Sequence, residues 1–293
     1  MFKGSMVALV TPFRNGAVDE KALQELVELH VKCGTSALVP CGTTGESATL
    51  SYEEHDRVIE LTVQYTKGRI PVIAGTGANS TEEAIMLTRH AMKAGADASL
   101  QVSPYYNRPT QKGLYLHFKA IAEAVDIPIV LYNIASRTGV NIEPETFAKL
   151  SQIKNIIGVK EASGSLEQMA RIKKVVPKDF LLISGDDALT LPVMAIGGVG
   201  VISVVANIIP RDVADMCAAF GKGDIAQAQE LHYKMLPLVK AIFIETNPIP
   251  VKTAMGLMGM IDPGLRLPMC EMESANKEKL VKELKDYKLI QGV

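Results

Sequence analysis

Ile156-Ile157-Gly158-Val159-Lys160 is a short apolar run that ends in an amine. It reads as a buried strand, and lysine is costly to place where such a strand finishes. Burial lowers the pKa of an ammonium group, and a neutral amine can attack a ketone to form a Schiff base. The run Ile129-Val130-Leu131-Tyr132-Asn133 ends comparably, in a phenol and an amide. Outward from these two, similar runs occupy residues 5–10, 36–40, 70–74, 98–102, 127–132, 156–160, 180–184 and 200–204. Their starts lie roughly 20 to 35 residues apart, the spacing of repeated βα units. Several are nearly continuous hydrophobes, which suits strands covered on both faces.

Helical patterns fill the intervals. Leu23, Leu26, Val27, His30 and Val31 share a stripe behind Asp19, a candidate cap. Ser51 with Glu54 and Ser80 with Glu83 have capping-box spacing, and glycines 34, 68 and 95 are placed to stop helices. Strand, helix, strand, eight times over, favours an α/β protein of the closed (β/α)8 TIM barrel type. An open doubly wound sheet is the rival, weakened by the lack of an early GxGxxG after a strand. The barrel count closes near residue 222. Residues 1–222 are therefore read as the catalytic barrel and 223–293 as a C-terminal helical domain, with helices expected over 224–244, 250–258 and 274–288. Their Met, Leu and Ala faces suit packing on the barrel, with a surface for a partner subunit as the alternative.

The chain has 293 residues, a formal net charge of −1 and 22% charged residues, so it carries no electrostatic footprint for nucleic acid or an anionic membrane. No apolar run approaches a bilayer span, and residues 1–10 read as a first strand rather than a signal peptide. Cys33, Cys41, Cys217 and Cys270 are scattered without metal-ligand spacing or a disulfide framework, which fits a reduced cytoplasm. His30, His55, His90, His117 and His232 are isolated, so no metal is expected.

In a barrel, the carboxyl ends of strands converge on one mouth. There the sequence delivers Gly42-Thr43-Thr44-Gly45-Glu46-Ser47, Tyr105-Tyr106-Asn107, Tyr132-Asn133, Lys160-Glu161 and Ser184-Gly185-Asp186-Asp187. Lys160 is the candidate Schiff-base amine; a snorkelling or salt-bridged lysine is the alternative. Tyr132 could shuttle protons or be a rim aromatic, and Thr43 could relay hydrogen bonds. The glycine-rich turn lacks the lysine of a phosphate loop and instead suits a small carboxylate. Arg137 offers a fork for a second carboxylate, unless it is a surface arginine in a turn. Gly197-Gly198-Val199-Gly200 reads as a tight turn.

Gly42 to Ser47, Tyr105-Tyr106-Asn107-Arg108-Pro109, Tyr132 to Gly139 and Gly158-Val159-Lys160-Glu161-Ala162 closely resemble the dihydrodipicolinate synthase family. So do Ile73-Ala74-Gly75-Thr76-Gly77-Ala78-Asn79-Ser80 and Asn247-Pro248-Ile249-Pro250-Val251-Lys252. The resemblance runs from Gly4 to about Pro268. It implies a (β/α)8 barrel with C-terminal helices, a homotetramer built as a dimer of tight dimers, and no cofactor. It also implies condensation of pyruvate with L-aspartate 4-semialdehyde in the diaminopimelate route to lysine. On this reading Lys160 forms the pyruvate imine. Tyr132 is the general acid/base, linked through Thr43 to Tyr106 of a neighbouring subunit. Thr44 holds the pyruvate carboxylate, Arg137 the semialdehyde carboxylate, and Gly185 and Ile202 line the site. Ser47, Ala48, His55, Asn79, Glu83 and Tyr105 resemble positions that bind feedback L-lysine. Two residues depart from the pattern: Tyr52 stands where lysine-sensitive members often have His, and Ala135 where the family usually has Pro, which would loosen the loop carrying Arg137. Related sugar-acid aldolases and N-acetylneuraminate lyase share the lysine and tyrosine; the Ser-Arg-Thr-Gly segment favours a short carboxylated aldehyde. A catalytically silent lysine-sensing scaffold is the reading from another class, and the intact lysine, tyrosine and threonine set argues against it.

Overall fold

The computed structural model describes residues 2–291; residues 1, 292 and 293 of the two expected spans lie outside the described residues. Eight parallel strands form the barrel: β1 (Gly4–Ala8), β4 (Ala37–Val39), β5 (Ile73–Gly75), β6 (Ala98–Val102), β7 (Ile129–Asn133), β8 (Ile156–Glu161), β9 (Leu181–Ser184) and β10 (Gly200–Ser203). Their order, β4-β1-β10-β9-β8-β7-β6-β5, closes where Leu38 bridges Val72. All eight expected strands are present, each displaced by no more than a few residues at its ends. The open-sheet rival is excluded by that closure.

Alternation along each strand divides two cores. Met6, Ala37, Val39, Ile73, Leu100, Val130, Ile183 and Ile202 face the barrel interior, with Tyr132 among them. Val7, Leu38, Leu131, Val159, Leu182 and Val201 face the surrounding helices. This two-sided burial is why the strands read as unbroken apolar runs. Gly158 is required by the pairing of β8 with β9, since a Cβ there would lie 2.6 Å from the Leu181 Cβ.

The helical ring comprises α1 (Glu20–Cys33), α2 (Tyr52–Thr66), α3 (Thr81–Ala94), α4 (Gln111–Ala124), α6 (Pro144–Leu150), α7 (Leu166–Val175), α8 (Thr190–Ala195) and α9 (Pro210–Gly221), with a one-turn α5 (Ala135–Thr138). The Asp19 cap and the Ser51–Glu54 capping box form as expected. Ser80 precedes α3 but makes no side-chain cap, and the Glu83 carboxylate is engaged elsewhere, so no capping box forms. Gly34 and Gly95 end α1 and α3, whereas α2 is capped by left-handed Lys67 ahead of Gly68. A hairpin of β2 (Phe13–Arg14) and β3 (Ala17–Val18) was not anticipated.

Beyond the ring, α10 (Ile225–Ile242), α11 (Ile249–Leu257) and α12 (Ser274–Asp286) bury Met235, Leu238, Val251, Met255, Leu280 and Leu284 in the same core as the outer barrel layer. The tail thus packs on the barrel. Asn207 locks the last strand to the first: its amide nitrogen donates to the carbonyls of Ala8 (2.9 Å) and Val204 (2.9 Å), and its oxygen accepts from the Val10 N–H (3.2 Å). Asn207→Leu strands these buried groups and is expected to cost about 2–4 kcal/mol. Urea unfolding checks this, and an unshifted midpoint would show that the seam does not depend on that amide.

Candidate active site

Lys160 and Tyr132 stand opposite one another in the β7–β8 ladder, one residue before each strand ends. Both point inward, while Glu161 and Asn133, one residue on, point outward beneath the helices. The Lys160 amine lies 4.3 Å from the centre of the Tyr132 ring, and each residue is only 6% exposed. Desolvation dominates both groups. It pulls the Lys160 amine down to about 8, assisted by the Arg137 charge and opposed by the Asp187 carboxylate. It pushes the Tyr132 phenol up to about 12, against the opposite pull of Arg137 and the Thr43 hydroxyl.

Asp187 does not contact the amine directly through any hydrogen bond; its carboxylate accepts the N–H groups of Val204 (3.0 Å) and Val205 (3.1 Å). Glu161 accepts from Asn133 (2.9 Å), the Ser163 N–H (2.7 Å) and Gln168 (3.4 Å) on the outer side of the wall. The salt-bridge alternative for Lys160 with its neighbour is therefore excluded. Gly185 leaves room for the lysine stem, since a Cβ there would lie 3.2 Å from the Lys160 Cγ and 2.7 Å from the Ala162 Cβ. Ile202 is buried in the interior cluster that holds Tyr132.

The Gly42–Ser47 turn folds on its own backbone: Gly45 and Ser47 N–H donate to the Gly42 carbonyl, and Glu46 N–H to that of Thr43. Thr44 is buried, and its hydroxyl oxygen accepts from the Asn247 amide at 3.0 Å, which leaves its own proton free. Arg137 lies in α5, an exposed helical turn that forms without a proline at its start; Thr138 and Gly139 N–H bond back to Ile134 and Ala135. Its guanidinium donates to the Asn247 carbonyl at 3.0 Å. One residue, Asn247, therefore joins the two candidate carboxylate-binding groups. Sequence reasoning assigned it no role; its only signal was its place in the Asn247–Lys252 stretch.

Tyr106 is not gathered with the others within one chain. It sits in a left-handed conformation on the rim, 91% exposed. The second candidate cluster lies on the outer side. The His55 ring nitrogen Nε2 donates to the Gly75 carbonyl at 2.8 Å, and burial lowers the imidazole pKa. Asn107 donates to the Asn79 carbonyl (2.9 Å), Tyr105 is partly exposed, and Ser47 and Ala48 open the 3-10 turn Ser47–Thr49. Glu83 accepts from the hydroxyl of Tyr52 at 3.1 Å, which is why it does not complete the Ser80 box. Among the described residues, no group of three or more His, Cys, Asp or Glu side chains is arranged to hold a metal.

The chain as a whole is similar to known proteins. The 4-hydroxy-tetrahydrodipicolinate synthase of Endomicrobium trichonymphae is 61% identical over 291 residues, 99% of this chain and 100% of the relative. The crystal structure of dihydrodipicolinate synthase from Aquifex aeolicus superposes with a TM-score of 0.98 at 52% identity, covering 100% of both chains. That of the Cyanidioschyzon merolae enzyme with lysine bound superposes with a TM-score of 0.95 at 42% identity, covering 99% of each. The model of the Dihydrodipicolinate synthetase family matches residues 1–287, and with relatives this similar over their full length the chain belongs to that family.

Proposed function

We infer that this chain is a 4-hydroxy-tetrahydrodipicolinate synthase, a lyase that condenses pyruvate with L-aspartate 4-semialdehyde at the first committed step of the diaminopimelate route to lysine. The observation that carries the chemistry is the desolvated Lys160 amine facing the Tyr132 phenol at the barrel mouth. The neutral amine attacks the pyruvate carbonyl carbon. Tyr132 delivers a proton to the departing oxygen, and water leaves from the carbinolamine. The resulting imine loses a methyl proton to give an enamine, whose carbon adds to the semialdehyde.

Thr44, with its free proton, holds the pyruvate carboxylate; Arg137 receives that of the semialdehyde. Gly185 and Ile202 bound the space around the imine. Thr43 relays protons between Tyr132 and the Tyr106 of a second copy. The rim exposure of Tyr106 supports that reading, because a phenol left in water cannot serve the buried lysine of its own chain. The assembly proposed is a homotetramer of two tight dimers. Feedback L-lysine binds Ser47, Ala48, His55, Asn79, Glu83 and Tyr105, with Glu83 facing its ammonium group; the lysine-bound C. merolae relative supports this. A cytoplasmic setting fits the four unpaired cysteines.

A coupled assay with pyruvate and L-aspartate 4-semialdehyde, run beside neuraminate and keto-deoxy-gluconate, tests the substrate pair; preference for either sugar acid would overturn it. Borohydride with pyruvate should fix an adduct on Lys160, and Lys160→Ala should abolish both adduct and turnover. Because the ammonium form is unreactive, the rate of imine trapping should rise with pH and level off above about 8. A profile still climbing past 10 would mean that the amine is not desolvated. Arg137→Ala should impair semialdehyde use at least tenfold more than imine formation; equal damage would contradict its assignment. Tyr52→Phe releases Glu83 and should lower the L-lysine concentration for half-inhibition by roughly threefold to tenfold. No change between the two proteins would remove Tyr52 as a competitor.

A further inference from the structure

Lys252 is a buried charge that no step of the proposed reaction uses. It lies on α11 and is 0% exposed, as is almost all of its partner: the side chains of Lys252 and Glu46 are 0% and 2% exposed, with the amine 2.6 Å from the carboxylate. The same amine donates to the Thr11 carbonyl at 3.1 Å and lies 4.3 Å from the centre of the Phe13 ring. Its hydrogen-bonding capacity is thereby spent inside the protein. Any influence on the reaction must pass through Glu46 and Thr11.

Glu46 belongs to the turn that carries Thr43 and Thr44, and its backbone is left-handed (φ 52°), a conformation that a side-chain-bearing residue adopts only when its surroundings enforce it. Its second carboxylate oxygen accepts the Arg266 N–H at 3.1 Å, while the Thr11 hydroxyl donates to the Gly45 carbonyl at 2.7 Å. The peptide between Gly45 and Glu46 is thus gripped from both sides. The Glu46 N–H in turn binds the Thr43 carbonyl, so its orientation sets that of Thr43. Immediately before α11, Asn247 holds the Thr44 hydroxyl. A buried ion pair gives little net stability over apolar residues of equal volume, whereas removing one partner leaves an uncompensated buried charge.

We propose that Lys252 and Glu46 are positioning residues for pyruvate: helix α11 sets the left-handed turn that aims the Thr44 hydroxyl at the pyruvate carboxylate and the Thr43 hydroxyl at Tyr132. This rests on the functional reading above. Its test is imine trapping and steady-state kinetics of Lys252→Met, Glu46→Gln and the double variant, each normalised to folded protein by circular dichroism. The double variant leaves neither charge buried without its partner, and the amide oxygen that replaces a Glu46 carboxylate oxygen can still accept from the Arg266 N–H. Each single variant should raise the pyruvate KM at least tenfold and slow trapping correspondingly, with a smaller change in the semialdehyde KM. The double variant should recover a measurable part of the pyruvate KM.

A pair that merely staples the fold predicts lower melting temperatures with unaltered pyruvate KM and trapping rate per folded molecule, and that result overturns the proposal. Should Lys252→Met fail to fold, Glu46→Gln and the double variant decide between the same two outcomes. Absence of any pyruvate adduct in the unsubstituted enzyme would instead sink the functional reading itself.

Discussion

A single amine with its water removed is the constraint around which the barrel mouth is arranged. The fall of Lys160 from its ordinary 10.5 to about 8 corresponds to about 3 kcal/mol against the charged form. That penalty survives because no carboxylate is in contact with the ammonium. Strand periodicity achieves this separation: with a side-chain repeat of two, placing Lys160 inside sends Glu161 outside. A slip of one residue would bring the acid in and the amine out. Gly158 and Gly185 hold the register and the room that this orientation needs, since any Cβ at either position collides with its neighbour.

The acids near the amine are kept in other employment. Asp187 is occupied by two backbone N–H groups at the start of the segment after β10, so its field reaches Lys160 without a direct bond. Glu161 serves a network that extends through Asn133 to Asn141 and Gln168, and Asn133 also accepts the Ile142 N–H. The loop bearing Arg137 lies between those last anchors. The same strand ends therefore deliver reactive groups inward and fix the rim loops outward.

Much of this was legible because the strands are covered on both faces, which writes them as apolar runs whose last polar residue marks the mouth. Lys160 and Tyr132 could be read in that way without knowing their neighbours. The β2–β3 hairpin could not be read from apolar runs, because two-residue strands carry no periodicity; the Asn15-Gly16 turn was its available signal. Asn247 and Lys252 escaped for another reason. Their partners lie some two hundred positions earlier in the chain, and a lysine in a helix ordinarily reads as a solvated face. In Ile249-Pro250-Val251-Lys252-Thr253-Ala254-Met255-Gly256-Leu257 it is the single charged residue of an otherwise nearly apolar helix, which is the trace that a buried partner leaves in sequence.

The two perturbed groups also fix a direction for the proton in the proposed reaction. Near neutrality an amine at about 8 supplies an appreciable neutral fraction, whereas a phenol at about 12 is almost wholly protonated. Tyr132 thus enters each cycle as a donor, not as a base. It can yield its proton only as the carbinolamine oxygen leaves, and the phenolate so formed is a strong base beside the nascent imine. That base is suited to removing the methyl proton that creates the enamine. Burial acts on both partners at once, raising one pKa and lowering the other, so the same exclusion of water that frees the amine also schedules the acid. Taking the methyl proton restores the phenol, and the alkoxide formed when the enamine carbon adds to the aldehyde draws that proton off again. In the proposed reaction a hydroxyl chain through Thr43 to a group such as Tyr106 of a second copy would then resupply it from solvent.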